Sequence, residues 1–208
     1  MKTKPILFST EMVEANLAGR KTNTRRIVED IHTGFLEWAF KEKKNLAGWI
    51  FTHAKYQMGD IVWVRETFID VDQKAEKYFN GVRFHYKADK TFVGCWPWKP
   101  SIHMPKEAAR QFIKILSVKV QRLQDISKSD SIEEGILPLT MSSAQLIEMG
   151  QLYFDYSKPA DLLNDGLDPV CSFKSLWQKI NGEGSWNKNP FVWVYEYEII
   201  EKPENFLT

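Results

Sequence analysis

Cysteine is scarce in this chain, and its scarcity excludes several kinds of site. Among 208 residues there are two cysteines, Cys95 and Cys171, which stand far apart and form no CxxC pair. The four histidines also lack the spacing that zinc ligands show in sequences. We therefore expect reduced cysteines, no metal site and no cofactor.

The formal net charge of the chain is close to zero. The chain has 28 Lys and Arg residues against 27 Asp and Glu residues, which gives a formal net charge of +1. A protein that follows a long nucleic-acid strand relies on many unbalanced contacts with phosphates. Extended tracking along RNA is therefore disfavoured, and any nucleic-acid role must come from a local patch or pocket.

Long apolar runs are also missing. The run near the N-terminus, Ile6-Leu7-Phe8, is too short for a signal peptide. No later run approaches the about 20 residues that a bilayer span needs. With 43% apolar and 13% aromatic residues, the chain still has ample material for a packed core. We expect a globular cytoplasmic protein with no membrane partner.

The hydrophobic pattern predicts several strands with a few short helices between them. Ser9 and Thr10 can cap a first helix that ends at Gly19. Further helices are expected over 127–134 and 173–180. Strands are expected to start at Ile27 and to cover 61–68, 83–87, 112–123 and 191–200. A change of parity in the fourth of these strands predicts a β-bulge near Leu116-Ser117. Because strands and helices do not alternate regularly, the pattern favours an α+β fold built on a small β-barrel.

A basic, hydroxyl-rich turn follows the first helix, with the sequence Arg20-Lys21-Thr22-Asn23-Thr24-Arg25-Arg26. Arginine and lysine side chains near a turn of backbone amides make an anion site. Arg20, Arg25 and Arg26 are therefore candidates for binding a nucleotide or RNA. A solvated basic turn with no ligand is the plainer alternative.

The run Leu17-Ala18-Gly19-Arg20-Lys21-Thr22-x-Thr24-x-Arg26 resembles the signature of the ASCH domain, a PUA-like family associated with RNA and modified nucleosides. Further matches follow in the family's order at 59–60, 63–68, 100–105, 126–127, 133–136, 186 and 189–194. The later matches resemble the longer ASCH proteins of phages and prophage-bearing bacteria. The resemblance implies one domain over 1–208 with a PUA-like small β-barrel and flanking short helices. It also implies insertions at about 29–55, 70–109 and 137–171.

One branch of this family is an amidohydrolase that removes the acetyl group from the exocyclic amine of a modified cytidine. The resemblance implies catalytic roles for Lys21, Thr24 and Glu134, with Glu133 as the alternative carboxylate. A threonine nucleophile needs a base, and lysine serves as one only when its pKa falls. The amidohydrolase mechanism that the resemblance implies requires no metal. Lys21 and Thr24 lie side by side only if the turn persists through Thr24.

Four other residues are candidates for binding a nucleotide or RNA. Arg65 and Glu66 follow an apolar strand, where they either contact a ligand or form an ion pair at the rim of the barrel. Trp98 and His103 lie in a segment rich in proline. An aromatic ring there either stacks on a base or packs on the barrel as a latch.

Three hypotheses for function follow from these residues. The protein hydrolyses an amide on a modified nucleoside, or it is a non-catalytic module that binds RNA or a modified base. The third alternative is a phage accessory or assembly protein that uses the barrel for protein contacts. The expected partner is a nucleoside or single-stranded RNA held in a local pocket, and the oligomeric state stays open.

Overall fold

A computed structural model describes residues 3–71, 81–90, 96–158 and 166–207, and these residues form an α+β fold. The helices are α1 (Thr10–Leu17), α2 (Thr33–Lys41), α3 (Ala47–His53), α4 (Lys128–Glu133), α5 (Ser143–Met149) and α6 (Pro169–Asn181). The strands are β1 (Lys4–Leu7), β2 (Asn23–Ile27), β3 (Ile61–Arg65), β4 (Phe68–Asp70), β5 (Phe84–Tyr86), β6 (Phe112–Arg122) and β7 (Phe191–Ile200).

Five strands form one mixed sheet in the order β1-β3-β6-β7-β2, and β4 pairs with β5 in a separate hairpin. β1 runs parallel to β3, and the other neighbours are antiparallel. The expected barrel does not close within the described ranges, because β1 and β2 remain the two edges of an open sheet. A side chain spans these edges instead: Arg26 Nη2 donates to the Leu7 carbonyl at 2.6 Å. We call the space between the two edges the β1–β2 gap.

The long strand β7 contributes side chains to two hydrophobic clusters of the core. Trp193, Tyr195 and Tyr197 pack into the main hydrophobic cluster, together with residues of β1, β3 and β6. Val192 and Val194 pack on the opposite face against residues of α6. Since both faces are covered, β7 is apolar at both parities over its first half.

The antiparallel pair of β6 and β7 contains the β-bulge that the change of parity predicts. The register shifts between Ile115 and Ser117 while the pairing continues on both sides. This extra residue lets β6 keep apolar side chains in the core along a curved strand.

Three expected boundaries were wrong, two of them because tertiary contacts override the local pattern. β2 begins at Asn23 rather than Ile27, since its polar residues pair with β7. The strand expected over 61–68 ends at Arg65, and the chain resumes as β4 in the other sheet. The last helix starts at Pro169, where the Asp168 side chain caps it.

Local caps set the ends of the helices that flank the sheet. Ser9 caps α1, and Ser127 caps α4 by accepting from the Asp130 amide at 3.0 Å. Gly19 and Gly135 follow the two helices with positive φ angles of 68° and 88°. Across the described ranges, no helix combines the length and apolar character needed to cross a bilayer.

Gly135→Ala tests how tightly α4 packs against α1. A Cβ there would lie 2.7 Å from Ala15 Cβ and 2.8 Å from Lys21 Cβ, at a φ of +88°. We expect a loss of unfolding free energy of about 1–2 kcal/mol from the backbone strain. Overpacking should add about 1–3 kcal/mol to this loss. Urea denaturation of this variant measures the sum of the two losses.

Gly59→Ala is the matched control, because Gly59 has a φ of +87° but open space around its position. It should show the backbone cost alone. Equal losses in the two variants would contradict the close packing of Gly135.

Candidate functional site

Lys21 forms the centre of a buried polar site. Its side chain is fully buried, and Nζ donates to the Asn23 carbonyl at 2.7 Å and the Glu134 carbonyl at 2.9 Å. A third bond goes to Glu134 Oε2 at 2.7 Å. A lysine ammonium has three N–H donors, and here each one has an acceptor.

The Glu134 carboxylate joins two cations. Besides the bond from Lys21, Oε1 accepts from Arg25 Nη1 at 2.9 Å. Arg25 Nη2 reaches Asp130 Oδ2 at 2.8 Å. We call Lys21, Arg25, Asp130 and Glu134 the buried charge cluster, in which two cations balance two carboxylates. Of these four side chains, only that of Asp130 is partly exposed, at 35%.

Backbone contacts fix the same junction. Lys21 and Glu134 form an isolated antiparallel bridge, and the Thr22 amide donates to the Glu133 carbonyl at 2.8 Å. Glu133 Oε2 accepts from Asn23 Nδ2 at 2.6 Å. Of the two neighbouring glutamates, Glu134 is therefore the one whose carboxylate contacts Lys21.

Burial lowers the pKa of Lys21, while the attraction of the Glu134 carboxylate and the hydrogen bond that Lys21 donates to it oppose the fall. The positive charges of Arg26 and Arg25 lower this pKa further. A lysine that acts as a general base needs a pKa shifted in this direction. In the arrangement seen here, however, all three donors are engaged, so no lone pair faces a substrate.

Thr24 lies apart from these contacts. It is already part of β2, where it pairs with Tyr195, so the turn does not persist through it. Neighbouring side chains of a strand point to opposite faces, which separates Thr24 from Arg25. Thr24 is fully buried, and its Oγ1 has no hydrogen-bond partner. Lys21 and Glu134 are therefore brought together, and Thr24 is hydrogen-bonded to neither.

A cavity of about 320 Å³ opens at the β1–β2 gap. We call it the gap cavity. Arg26 lines it and also lies over the Phe8 ring, with 5.7 Å from the guanidinium carbon to the ring centre. The other titratable lining residues are Glu29, His32, His53, Lys55, Tyr56 and Tyr195. Ile6, Trp193 and Tyr195 contribute apolar and aromatic surface.

Aromatic stacking holds α3 against β7 beside this cavity. The Trp49 ring stacks on Trp193 with centroids 5.2 Å apart and planes inclined by 10°. It also stacks on His53, at 4.6 Å and 14°, and lies next to the rings of His32 and Phe35. The segment at about 29–55, expected as an insertion, thus supplies one wall of the cavity.

Tyr56 connects the cavity to β1. Its hydroxyl donates to the Pro5 carbonyl at 2.6 Å, and burial raises its pKa to about 12. The nearby Arg26 partly offsets this rise. Tyr56 is therefore neutral at physiological pH.

A smaller cavity of about 140 Å³ lies between β2, α1 and α6. Arg25, Arg26 and Glu134 line it together with Trp177. Arg25 Nε and Trp177 Nε1 are both buried without a hydrogen-bond partner. The buried charge cluster therefore borders this cavity, and two of the residues that line it contain a buried donor without a partner.

Arg65 and Glu66 make separate contacts rather than a mutual ion pair. Arg65 Nε donates to the Met104 carbonyl at 3.0 Å. Glu66 is buried and accepts twice from Arg110, at 2.8 Å each. Burial raises the pKa of Glu66, and Arg110 opposes that rise. These contacts lie between β3 and the residues before β6, away from the gap cavity.

The remaining candidates do not line the gap cavity either. Trp98 is half-buried beside Lys99, whose backbone bridges to Phe68 of β4. His103 is exposed at the end of a one-turn 3₁₀ helix. Arg20 is half-buried, and its Nε has no hydrogen-bond partner.

Sequence reasoning missed several residues of these sites. Asp130 precedes Glu134 by four positions, a spacing that places both on one side of a helical turn and that was visible in the sequence. His32, His53 and Lys55 gave no such signal, because their proximity depends on how α2 and α3 fold back over the sheet. Within the described ranges, no three His, Cys, Asp or Glu side chains are grouped to hold a metal ion.

Comparison with known proteins gives one distant structural likeness. No protein-family model matches the chain, and no curated protein matches it either. The chain is similar to the crystal structure of protein EF3133 from Enterococcus faecalis V583, described with the family model DUF984. Sequence identity is 11%, the match covers 97% of this chain and 78% of EF3133, and the TM-score is 0.40. A likeness this distant assigns neither a family nor a function.

Glu134→Gln tests whether the buried charge cluster holds the fold together. The substitution keeps the shape but leaves Lys21 and Arg25 without the carboxylate they share. We expect a loss of unfolding free energy of about 3–5 kcal/mol, as found for broken buried ion pairs. Chemical denaturation followed by circular dichroism measures it.

Asp130→Asn is the matched control, since the Asp130 side chain is 35% exposed. Its loss should be clearly smaller than that of Glu134→Gln, because the Asp130 carboxylate keeps contact with solvent although Arg25 is buried. A comparable loss in both variants would show that burial of Glu134 adds nothing to the strength of the contact.

Proposed function

We propose that this chain is an ASCH-type, PUA-like protein that binds a nucleoside-sized ligand in the gap cavity. One observation carries the proposal: the last arginine of the Gly19–Arg26 motif, Arg26, lines that cavity at the open edge of the sheet. The ASCH resemblance associates this motif with RNA and modified nucleosides. A cavity in contact with the motif is therefore the place to seek such a ligand.

The size and lining of the cavity support a small aromatic ligand. Its volume of about 320 Å³ falls within the about 300–1,000 Å³ of small-molecule sites. Such sites combine mostly apolar walls with a few polar groups. Trp193 and Tyr195 provide aromatic wall, and Arg26 provides hydrogen-bond donors.

The buried charge cluster supports a binding role because it positions Arg26 without meeting the ligand itself. Lys21 and Glu134 fix the start of β2 at 2.7 Å, five residues before Arg26. The guanidinium of Arg26 donates one hydrogen bond to the Leu7 carbonyl and has four further N–H donors. A preorganised arginine of this kind suits the acceptor edge of a base or a phosphate.

The charge balance favours a local ligand over a long one. The net charge of +1 supplies few unbalanced cations for extended phosphate contacts. We therefore propose a nucleoside, or a short stretch of single-stranded RNA with one base in the cavity.

Arg26→Gln should weaken binding. One charge-assisted hydrogen bond contributes about 1.5–3 kcal/mol, so we expect a rise in Kd of about tenfold or more. Isothermal titration with the four ribonucleosides and with acetylated cytidine measures it. Arg83→Gln is the matched control, because Arg83 lies in the β4–β5 hairpin paired with Asp70. No binding by the parent, or equal affinity in the Arg26 variant, would contradict the proposal.

The second candidate function is the amidohydrolase, favoured by the 2.7 Å contact between Lys21 and Glu134. In this mechanism the Thr24 hydroxyl oxygen bonds to the acyl carbon, and Lys21 accepts the hydroxyl proton. The bond from carbon to the exocyclic nitrogen breaks, and the amine leaves with a proton relayed through Glu134. Water then hydrolyses the acyl-threonine ester. Lys21 must give up one of its three hydrogen bonds for this, which places the candidate second.

Thr24→Val separates the two candidates. The hydroxyl of Thr24 is buried without a partner, so its removal should leave the unfolding free energy unchanged or raise it by up to about 3 kcal/mol. Hydrolysis of acetylated cytidine, followed by chromatography of the products, should disappear in the variant if Thr24 is the nucleophile. Parental turnover in Thr24→Val, or no turnover in the parent, rejects the amidohydrolase.

A further inference from the structure

The gap cavity has a buried floor and a charged rim. Ile6, Tyr56, Trp193 and Tyr195 are all at most 7% exposed and form the floor. Glu29, His53 and Lys55 are exposed, and His32 is half-buried. The cavity is therefore apolar and aromatic where it is deep, and polar where it meets solvent.

The rim carries more cationic than anionic groups. Arg26 and Lys55 hold permanent positive charges, and Glu29 is the one carboxylate among the residues that line the cavity. Burial raises the pKa values of Tyr56 and Tyr195, so both phenols in the cavity are neutral. An anionic ligand group therefore gains net attraction at the rim.

Two imidazoles from separate elements meet there. His32 ends a one-turn 3₁₀ helix, His53 ends α3, and their ring centres lie 4.9 Å apart. His53 Nδ1 lies 2.8 Å from the Trp49 carbonyl. Nδ1 also lies 2.7 Å from Thr52 Oγ1, so the protein itself engages this nitrogen. Nε2 is then the ring nitrogen left to meet a ligand.

We propose that the ligand of the gap cavity is phosphorylated, a nucleoside monophosphate whose phosphate lies at the rim between His32, His53 and Lys55. This inference rests on the proposed function and names the class of ligand. The base and sugar occupy the aromatic floor beside Arg26, while the phosphate meets the charged groups. A phosphate offers three acceptor oxygens, which can accept from the Lys55 ammonium and from an imidazole nitrogen that carries a proton.

The test compares nucleosides with their 5′-monophosphates. The four ribonucleosides, the four monophosphates and inorganic phosphate are titrated into the intact protein by calorimetry. We expect each monophosphate that binds to do so about tenfold more tightly than its nucleoside, the gain from one charge-assisted hydrogen bond. In the double variant His32→Gln and His53→Gln the ratio of monophosphate affinity to nucleoside affinity should fall.

Two further variants guard against misfolding. Lys55→Gln changes an exposed side chain outside any helix or strand and should reduce the same gain without altering the thermal melt. His103→Gln makes a matched histidine change far from the cavity and should leave every affinity unchanged.

The outcomes separate the two proposals. If nucleosides bind and the phosphate adds no affinity, the phosphate site is wrong and the proposed function stands. If neither class binds, both are wrong. If inorganic phosphate binds as tightly as the monophosphates, the rim holds an anion but the ligand is not a nucleotide.

Discussion

The contact between Lys21 and Glu134 is the interaction on which the rest of this structure depends. It joins two side chains 113 positions apart in sequence, at 2.7 Å and out of contact with water. Burying two charges is costly unless every donor and acceptor is satisfied. Here the Arg25 guanidinium and the backbone carbonyls of Asn23 and Glu134 complete the set. The start of β2 therefore has one favourable position against α4.

Side chains provide partners for the open edge of the sheet at β1. β1 and β2 are both edges, and unpaired edge groups need other partners. Arg26 donates to the Leu7 carbonyl, and Tyr56 donates to the Pro5 carbonyl. Side chains thus replace part of the ladder that a closed barrel would have formed. The space they leave between the strands is the gap cavity.

The sequence allowed prediction of those features that depend on local periodicity and caps. β7, the bulge between Ile115 and Ser117, and the cap at Ser9 are of this kind. The boundaries of β2 and the open sheet depend on contacts between distant residues, which no window of sequence contains. The site divides in the same way. Resemblance indicated Lys21 with Glu134, whereas the imidazoles of the rim became visible only once α2 and α3 were placed.

Holding the strand and acting as a base are opposed roles for Lys21. As an ammonium it donates three hydrogen bonds, two of them to Glu134. As a neutral amine it would turn a lone pair toward some of those acceptors, and repulsion from the carboxylate would disfavour that state. Catalysis therefore requires Glu134 to be protonated or to rotate away. Binding through Arg26 requires no such change, because the ammonium that positions β2 is already the state that the surrounding acceptors favour.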